Sequence, residues 1–71
     1  MNDSMAHRGR GDVLVCLDRV PEALQAYDRA IQHKPNDHAA HRGRGNVLAE
    51  LGRLPEALQA YNRVIQCQHK W

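Results

Sequence analysis

The sequence predicts an all-α protein built as two tandem helix-turn-helix repeats that form a short right-handed α-solenoid. The first observation behind this prediction is internal repetition. Of the 37 residues that have a counterpart 34 positions later, 22 are identical to it. The second is that apolar residues within each copy recur with the period of an α-helix. Because repeats of this length are typical of stacked helical hairpins, we place repeat 1 at residues 4–37 and repeat 2 at residues 38–71.

The first helix of each repeat is predicted over residues 4–17 and 38–51. A small polar residue directly before a helix caps its free N–H groups, and both segments offer one. Asp3 or Ser4 is the expected cap in repeat 1, and the pair 36–37 (Asn-Asp) is the expected cap in repeat 2. Two pairs of glycines interrupt these helices: Gly9 with Gly11, and Gly43 with Gly45. Each glycine costs about 1 kcal/mol relative to alanine, so we expect close packing against them.

The second helix of each repeat is predicted over residues 21–33 and 55–68. Each begins with Pro-Glu, and proline suits the first turn of a helix because its missing N–H has no partner there. The Lys-Pro pair at 34–35 ends the first copy, because a residue before proline avoids the helical region. Gly52 is expected to cap the preceding helix of repeat 2, where repeat 1 has Asp18.

Composition excludes several classes of protein. The chain is 42% hydrophobic and 25% charged, with a net charge of +2, which is typical of a folded chain without a strong nucleic-acid footprint. Its longest strictly apolar run, residues 13–17, is far shorter than the roughly 20 residues that span a membrane. No secretory signal is visible, so we expect a cytoplasmic chain with Cys16 and Cys67 as free thiols.

The repeat resembles the tetratricopeptide repeat, a helix-turn-helix unit of the same length. The pattern W-x2-L-G-x2-Y of that family reads His41-x2-Arg44-Gly45-x2-Leu48 in repeat 2, and A-x3-F reads Ala-x3-Tyr in both copies. The closing proline is Pro35. Histidine and arginine stand where the family has tryptophan and leucine. The resemblance covers residues 4–71 and implies a scaffold that binds other proteins.

The resemblance also implies a binding site, because in such arrays the first helices line a concave groove that holds a peptide or a partner helix. Position by position, the predicted groove residues are Arg8, Asp12, Cys16, Arg42, Asn46 and Glu50. Met5, Val15, Ala39 and Ala49 would stand beside them. We expect Arg8, Arg42 and Asn46 to hold an acidic segment or a C-terminal carboxylate. The alternative is that this is simply a solvated basic face.

Two repeats are fewer than the three that such arrays need for independent stability, so apolar surface should remain uncovered. On the last helix the residues concerned are Leu58, Tyr61, Val64, Ile65 and Trp71. An exposed apolar face marks an interface, and a homodimer is the simplest expectation. Exchange of helices, an open assembly, a larger partner, or a chain that is a fragment of a longer array are the alternatives.

Other functions find less support in the sequence. The Arg-rich first helices could bind nucleic acid, which is the alternative function, but no aromatic residues alternate with the arginines to stack on bases. His38 and His41 would share a helical face with His7 nearby, yet no cysteine or carboxylate completes a familiar metal set, so no metal and no cofactor is expected. Arg10 and Arg44 are expected to pack their stems and reach water or a carboxylate. No catalytic motif appears, so we predict that the chain is not an enzyme.

Overall fold

The computed structural model of the chain describes residues 3–68, with the side chains of residues 4–66. This range contains four helices: α1 (Asp3–Cys16), α2 (Val20–His33), α3 (His38–Glu50) and α4 (Leu54–Gln68). Their bounds lie close to the predicted ones, and no strand occurs between residues 3 and 68. The predicted all-α helical-repeat fold is therefore confirmed. None of the four helices is both long enough and apolar enough to cross a bilayer.

The helices are arranged as two hairpins stacked side by side. The first helix of each hairpin packs along its second helix, α1 on α2 and α3 on α4, because short turns join them. The two hairpins meet mainly where α3 packs on α2, with a smaller contact between α1 and α3. The junction between the hairpins is therefore formed chiefly by the second helix of one repeat and the first helix of the next.

The turn inside each hairpin closes with the same backbone motif. The second residue after each first helix takes a left-handed conformation, with φ of 61° at Asp18 and 78° at Gly52. In the first turn the Arg19 N–H donates to the Leu14 carbonyl at 2.8 Å, and the second turn repeats this bond. This is the Schellman arrangement, which normally has glycine at the left-handed position. The cap predicted at Gly52 is confirmed, and Asp18 adopts the same conformation despite its Cβ.

Asp37 caps α3 as predicted, accepting a hydrogen bond from the Ala40 N–H at 3.2 Å. Of the two expected caps of α1, Ser4 is not a cap, because it lies inside that helix and is buried, and the side chain of Asp3 lies outside the described residues. Its hydroxyl donates to the Asp37 carboxylate at 2.7 Å, and the Ala30 carbonyl lies within hydrogen-bond distance of the same hydroxyl oxygen, at 3.1 Å. Ser4 therefore ties α1 to the end of α2 and to the α2–α3 corner.

The glycines of the first helices receive tyrosine rings. A Cβ atom on Gly11 would lie 2.8 Å from the Tyr27 ring, and one on Gly43 would lie 2.6 Å from the same ring. Tyr61 stands in the same way against Gly45, at 2.9 Å. The close packing expected at the glycines is thus present at Gly11, Gly43 and Gly45, where the neighbour is a side-chain ring and not a helix backbone. It is absent at Gly9, where a Cβ would meet nothing within 4 Å among the described residues. Tyr27 contacts glycines of both repeats and fills the wedge between them.

The buried core runs across the junction between the hairpins. One cluster belongs mostly to the first hairpin and includes Val47 from α3, and a second cluster belongs to the second hairpin. Leu24, half-buried on α2, packs against both clusters. The first cluster consists of Leu14, Val20, Ala23, Ala26, Tyr27 and Val47, and the second of Leu48, Ala57 and Ala60. The position of each first helix relative to its neighbours is fixed by this shared core.

Candidate functional site

An open groove of about 530 Å³ lies between α1 and α3, with Tyr27 of α2 at its floor. Its lining is formed by Arg8, Asp12, Val15, Tyr27, Ala39, Arg42, Gly43, Asn46, Val47 and Glu50. Five of the six predicted groove residues therefore line one concave surface. The sixth, Cys16, is exposed but lies outside this lining, as do Met5 and Ala49. The side chain of Cys67 lies outside the described residues.

The groove residues fall into rows because the two first helices carry equivalent positions side by side. Arg8 of α1 corresponds to Arg42 of α3, and Asp12 corresponds to Asn46, since the members of each pair are separated by one whole repeat. Successive rows are four residues apart, about one helical turn, so they follow one face of each helix. Glu50 forms the last row, eight residues or about 12 Å along α3 from Arg42. The groove is therefore basic at one end and acidic towards the other.

The two arginines at the basic end differ in their partners. The Arg8 guanidinium donates to the Asp37 carboxylate at 3.1 Å and so joins the corner between the hairpins. Arg42 is exposed and forms no ion pair or hydrogen bond with the described part of the chain. Although their positions are equivalent in sequence, only Arg42 offers a complete set of donors to a ligand. This asymmetry was not visible in the sequence, because it depends on the fold of the corner.

The middle row is held in place by tyrosines. The Tyr27 hydroxyl donates to the Asp12 carboxylate, and the Tyr61 hydroxyl donates to the Asn46 carbonyl oxygen. Asn46 therefore keeps its amide NH2 group, with two donors, for a ligand. Burial raises the pKa of the Tyr27 hydroxyl above its ordinary value, and the adjacent Asp12 carboxylate raises it further. The Tyr27 hydroxyl stays protonated and continues to orient Asp12 at neutral pH.

Asp37 connects the groove to the stability of the junction. Burial by itself would raise the pKa of this carboxyl group, but hydrogen bonds from Ser4, from the Ala40 N–H and from Arg8 lower it. The net result is a pKa below the ordinary value for aspartate. Asp37 is therefore a buried anion with three donors, and Arg8 is part of its compensation. A ligand that drew Arg8 away would weaken this network.

The histidines have separate structural partners. His41 is buried, and its Nε2 donates to the Pro35 carbonyl at 2.8 Å, in the α2–α3 corner. His7 stacks on His33, with ring centroids 5.2 Å apart and planes within 7° of parallel. Among the described side chains, residues 4–66, no three of histidine, cysteine, aspartate or glutamate lie together in a way that could hold a metal ion.

Arg10 and Arg44 also differ between the repeats. Arg44 is half-buried, and its Nε donates to the Asp28 carboxylate of α2 at 2.7 Å, which matches the expectation that it reaches a carboxylate. Arg10 lies at the equivalent position on α1 and is exposed, since no hairpin precedes it in the structure. Two of the four arginines in the first helices, Arg8 and Arg44, thus pair with carboxylates across the junction between the hairpins.

The predicted end face on α4 is exposed as far as the structure describes it. Leu58 and Ile65 are each more than half exposed, whereas Tyr61 and Val64 are partly buried. Trp71 lies outside the described residues. Sequence reasoning missed Leu54 on the same helix, and it missed the exposed apolar residues Val13 and Leu17 on α1. Their exposure could have been inferred from the residues that join the two repeats, because the equivalent residues at the two ends have no neighbouring repeat in the structure.

A comparison with known families finds a match that covers most of the chain. A family model described as "Tetratricopeptide repeat" matches residues 8–68, which include nearly all of the four helices and the whole groove lining. In a comparison with curated proteins, none matches the chain. The two helical hairpins of the structure agree with this match.

Proposed function

The chain belongs to the tetratricopeptide repeat family, and from that premise we propose that it is a scaffold that binds a peptide or a partner helix in the groove between α1 and α3. Repeats of this family are generally protein–protein interaction modules. The groove is open, lies on the first helices and is lined by both polar and apolar side chains. Val15, Ala39 and Val47 provide apolar contact, while the charged rows provide orientation.

The observation that carries this proposal is the unpaired Arg42 guanidinium beside Asn46 in the groove. Arg42 is exposed and lies one turn into α3. With the Asn46 amide one turn further along, an acidic side chain or a terminal carboxylate could accept charge-assisted hydrogen bonds from both residues. Such bonds contribute about 1.5–3 kcal/mol each. Arg8 contributes to the basic end while it remains bonded to Asp37.

The acidic end of the groove predicts the direction of the peptide. Glu50 is exposed and forms no ion pair with the described residues, and Asp12 presents a second carboxylate one turn closer to Arg42. A peptide with its carboxylate at Arg42 and a lysine or arginine about 12 Å away would satisfy both ends. This charge pattern favours a peptide with separated opposite charges over a uniformly acidic one.

Fluorescence anisotropy with two synthetic octapeptides tests the groove. Both carry a lysine near the N-terminus and glutamates near the C-terminus, and one ends in a free carboxylate while the other is amidated. We expect the free acid to bind more tightly, and Arg42→Glu to weaken it at least tenfold. Arg29→Glu is the matched control, because it makes the same charge change on exposed α2 surface outside the groove. Equal binding by Arg42→Glu and by the control would refute the groove proposal.

The same assay separates protein binding from the nucleic-acid alternative. Binding to phosphates would weaken steeply and uniformly as salt is raised, without a preference for the free carboxylate. A single-stranded oligonucleotide that competed for the groove with such a salt dependence would favour that alternative.

We also propose that the chain associates with itself through its uncovered end faces. The support is the set of apolar side chains on α4 that no part of the described chain covers, Leu58 and Ile65 above all. Light scattering across a hundredfold range of concentration tests it. A mass that stays at that of the 8.1 kDa chain throughout would refute self-association.

A further inference from the structure

The junction between the two hairpins shows which surfaces pack together in this molecule, and the two ends of the molecule carry equivalent surfaces. In this junction α3 packs on α2. Because the two repeats are equivalent position by position, α1 carries the face that α3 presents to α2, and α4 carries the face that α2 presents to α3. We call the first the head face, formed by Ala6, Gly9, Arg10 and Val13. We call the second the tail face, formed by Leu54, Leu58, Tyr61, Val64 and Ile65.

Side-chain exposure shows that each end carries one uncovered half of this junction. Val47 in the junction is 3% exposed, whereas its counterpart Val13 on the head face is 58% exposed. Val20 is 8% exposed, whereas its counterpart Leu54 on the tail face is 62% exposed. Since the amino acids are the same or similarly apolar, the difference comes from the missing neighbour. The two ends therefore carry complementary surfaces that the chain already joins once internally.

The most specific feature of the junction is the tyrosine ring seated on a glycine of the next hairpin. Tyr27 lies so close to Gly43 that a Cβ there would be 2.6 Å from the ring. On the tail face the same ring is Tyr61, and on the head face the same glycine is Gly9. Gly9 has nothing within 4 Å of the position its Cβ would occupy, so its seat is empty.

The polar contact of the junction also has an equivalent pair of residues at the two ends of the chain. Arg44 donates to Asp28 across the junction. The corresponding pair between two chains would be Arg10 on the head face and Asn62 on α4, both of which are exposed. An asparagine side-chain oxygen accepts a hydrogen bond from a guanidinium, so the contact is kept in a weaker, uncharged form.

We infer that a second copy of this chain stacks head to tail on the first, with the head face of one copy on the tail face of the other. The inference rests on the proposed self-association and specifies its polarity. Two tail faces placed together would bring tyrosine rings against each other without a glycine to receive either. A head-to-tail contact is heterologous, so each added copy leaves a new tail face open and the stack can grow beyond a dimer.

Two charge variants test the polarity, because each blocks one face only. Val13→Glu blocks the head face and Leu58→Glu blocks the tail face, and both side chains are more than half exposed in the single chain, so both variants should keep its helicity. We expect each variant alone to be monomeric and an equimolar mixture to form a 1:1 dimer that grows no further. Lys34→Glu, on exposed surface directly after α2 and outside both faces, is the control and should associate like the wild type.

The outcomes of light scattering on these samples are distinct. Wild-type mass that rises with concentration past the dimer, together with a dimer only in the mixture, supports head-to-tail stacking. If Val13→Glu dimerises alone and Leu58→Glu does not, the tail faces pair with each other, which overturns the inference but leaves self-association standing. A wild-type chain that is monomeric throughout overturns both.

Gly9→Ala provides an independent test with a readout of folding. An added methyl group meets nothing among the described residues of the single chain, and we expect it to strike Tyr61 of a neighbouring copy. We expect the melting temperature of the dilute monomer to rise by about 5 °C, because alanine is the better helix former, while self-association weakens at least tenfold. A variant that is more stable and associates as the wild type does would overturn the inference.

Discussion

Replacing Gly43 by alanine measures how tightly the two hairpins are joined. The new Cβ would lie 2.6 Å from two atoms of the Tyr27 ring, about 1 Å closer than ordinary carbon contact. The ring cannot withdraw freely, because it also packs on Gly11 and its hydroxyl is bonded to Asp12. Tyr27 is only 3% exposed, so the overlap must be relieved inside the core.

The net effect follows from two opposing contributions. Overpacking of a well-packed core costs about 1–3 kcal/mol, whereas glycine to alanine within a helix gains about 1 kcal/mol. We therefore expect Gly43→Ala to lower the free energy of unfolding by about 1 kcal/mol. Gly9→Ala is the matched control, since it gains the same helix propensity at the equivalent position without any overlap. The two variants should differ by about 2 kcal/mol, the cost of overpacking alone, with opposite signs relative to the wild type.

Urea unfolding followed by circular dichroism checks this difference at a concentration low enough to keep both variants monomeric. Each kcal/mol corresponds to a shift of about 4–8 °C in melting temperature for a chain of this size, so thermal unfolding gives a second reading. If Gly43→Ala were as stable as Gly9→Ala, Tyr27 would not be held between the hairpins, and the account of the junction would be refuted.

Three further predictions concern the turns and the titratable groups. Asp18→Gly should raise the unfolding free energy by about 1 kcal/mol, because Asp18 has φ of 61°, and Gly52→Asp should lower it by a similar amount, both measured by urea unfolding. The pKa of Asp37 is lowered by folding, so its contribution is complete above its ordinary pKa of 3.8 and is lost as pH falls below that value. Asp37→Asn should have a lower free energy of unfolding than the wild type at neutral pH. In unfolding curves measured over a series of pH values, the variant should lose less stability than the wild type as pH falls. The pKa of Tyr27 is raised by folding, so the stability of the wild type should fall as pH rises above about 10. Tyr27→Phe should be roughly 1 kcal/mol less stable than the wild type at neutral pH, because it loses the hydrogen bond to Asp12. Because phenylalanine does not ionise, this variant should lose less of its remaining stability in alkali than the wild type does.

The helices and their turns could be predicted because their causes are local in the chain. The apolar period, proline in the first turns and glycine at residue 52 act within a few residues, and repetition doubled each signal. The groove residues were predicted on another ground, the resemblance to the tetratricopeptide repeat, whose first helices line a concave surface. Once the first helices are known to lie side by side, residues one repeat apart must stand in rows, and five of six named residues do line the groove.

The sequence by itself determined the fold class and the approximate helix bounds. Only the tertiary structure decided which of two equivalent residues is available. Arg8 is bonded to Asp37 and Arg42 is not, and Val47 is buried while Val13 is exposed. The physical reason is position in the stack. Val47 is covered by the hairpin that precedes it, and Arg8 reaches Asp37 in the corner that leads to the next hairpin, whereas the position equivalent to Asp37 in repeat 2 is Trp71. The repeated sequence gives both repeats nearly the same surface residues, and the stacking of the hairpins determines which of these residues are covered or paired.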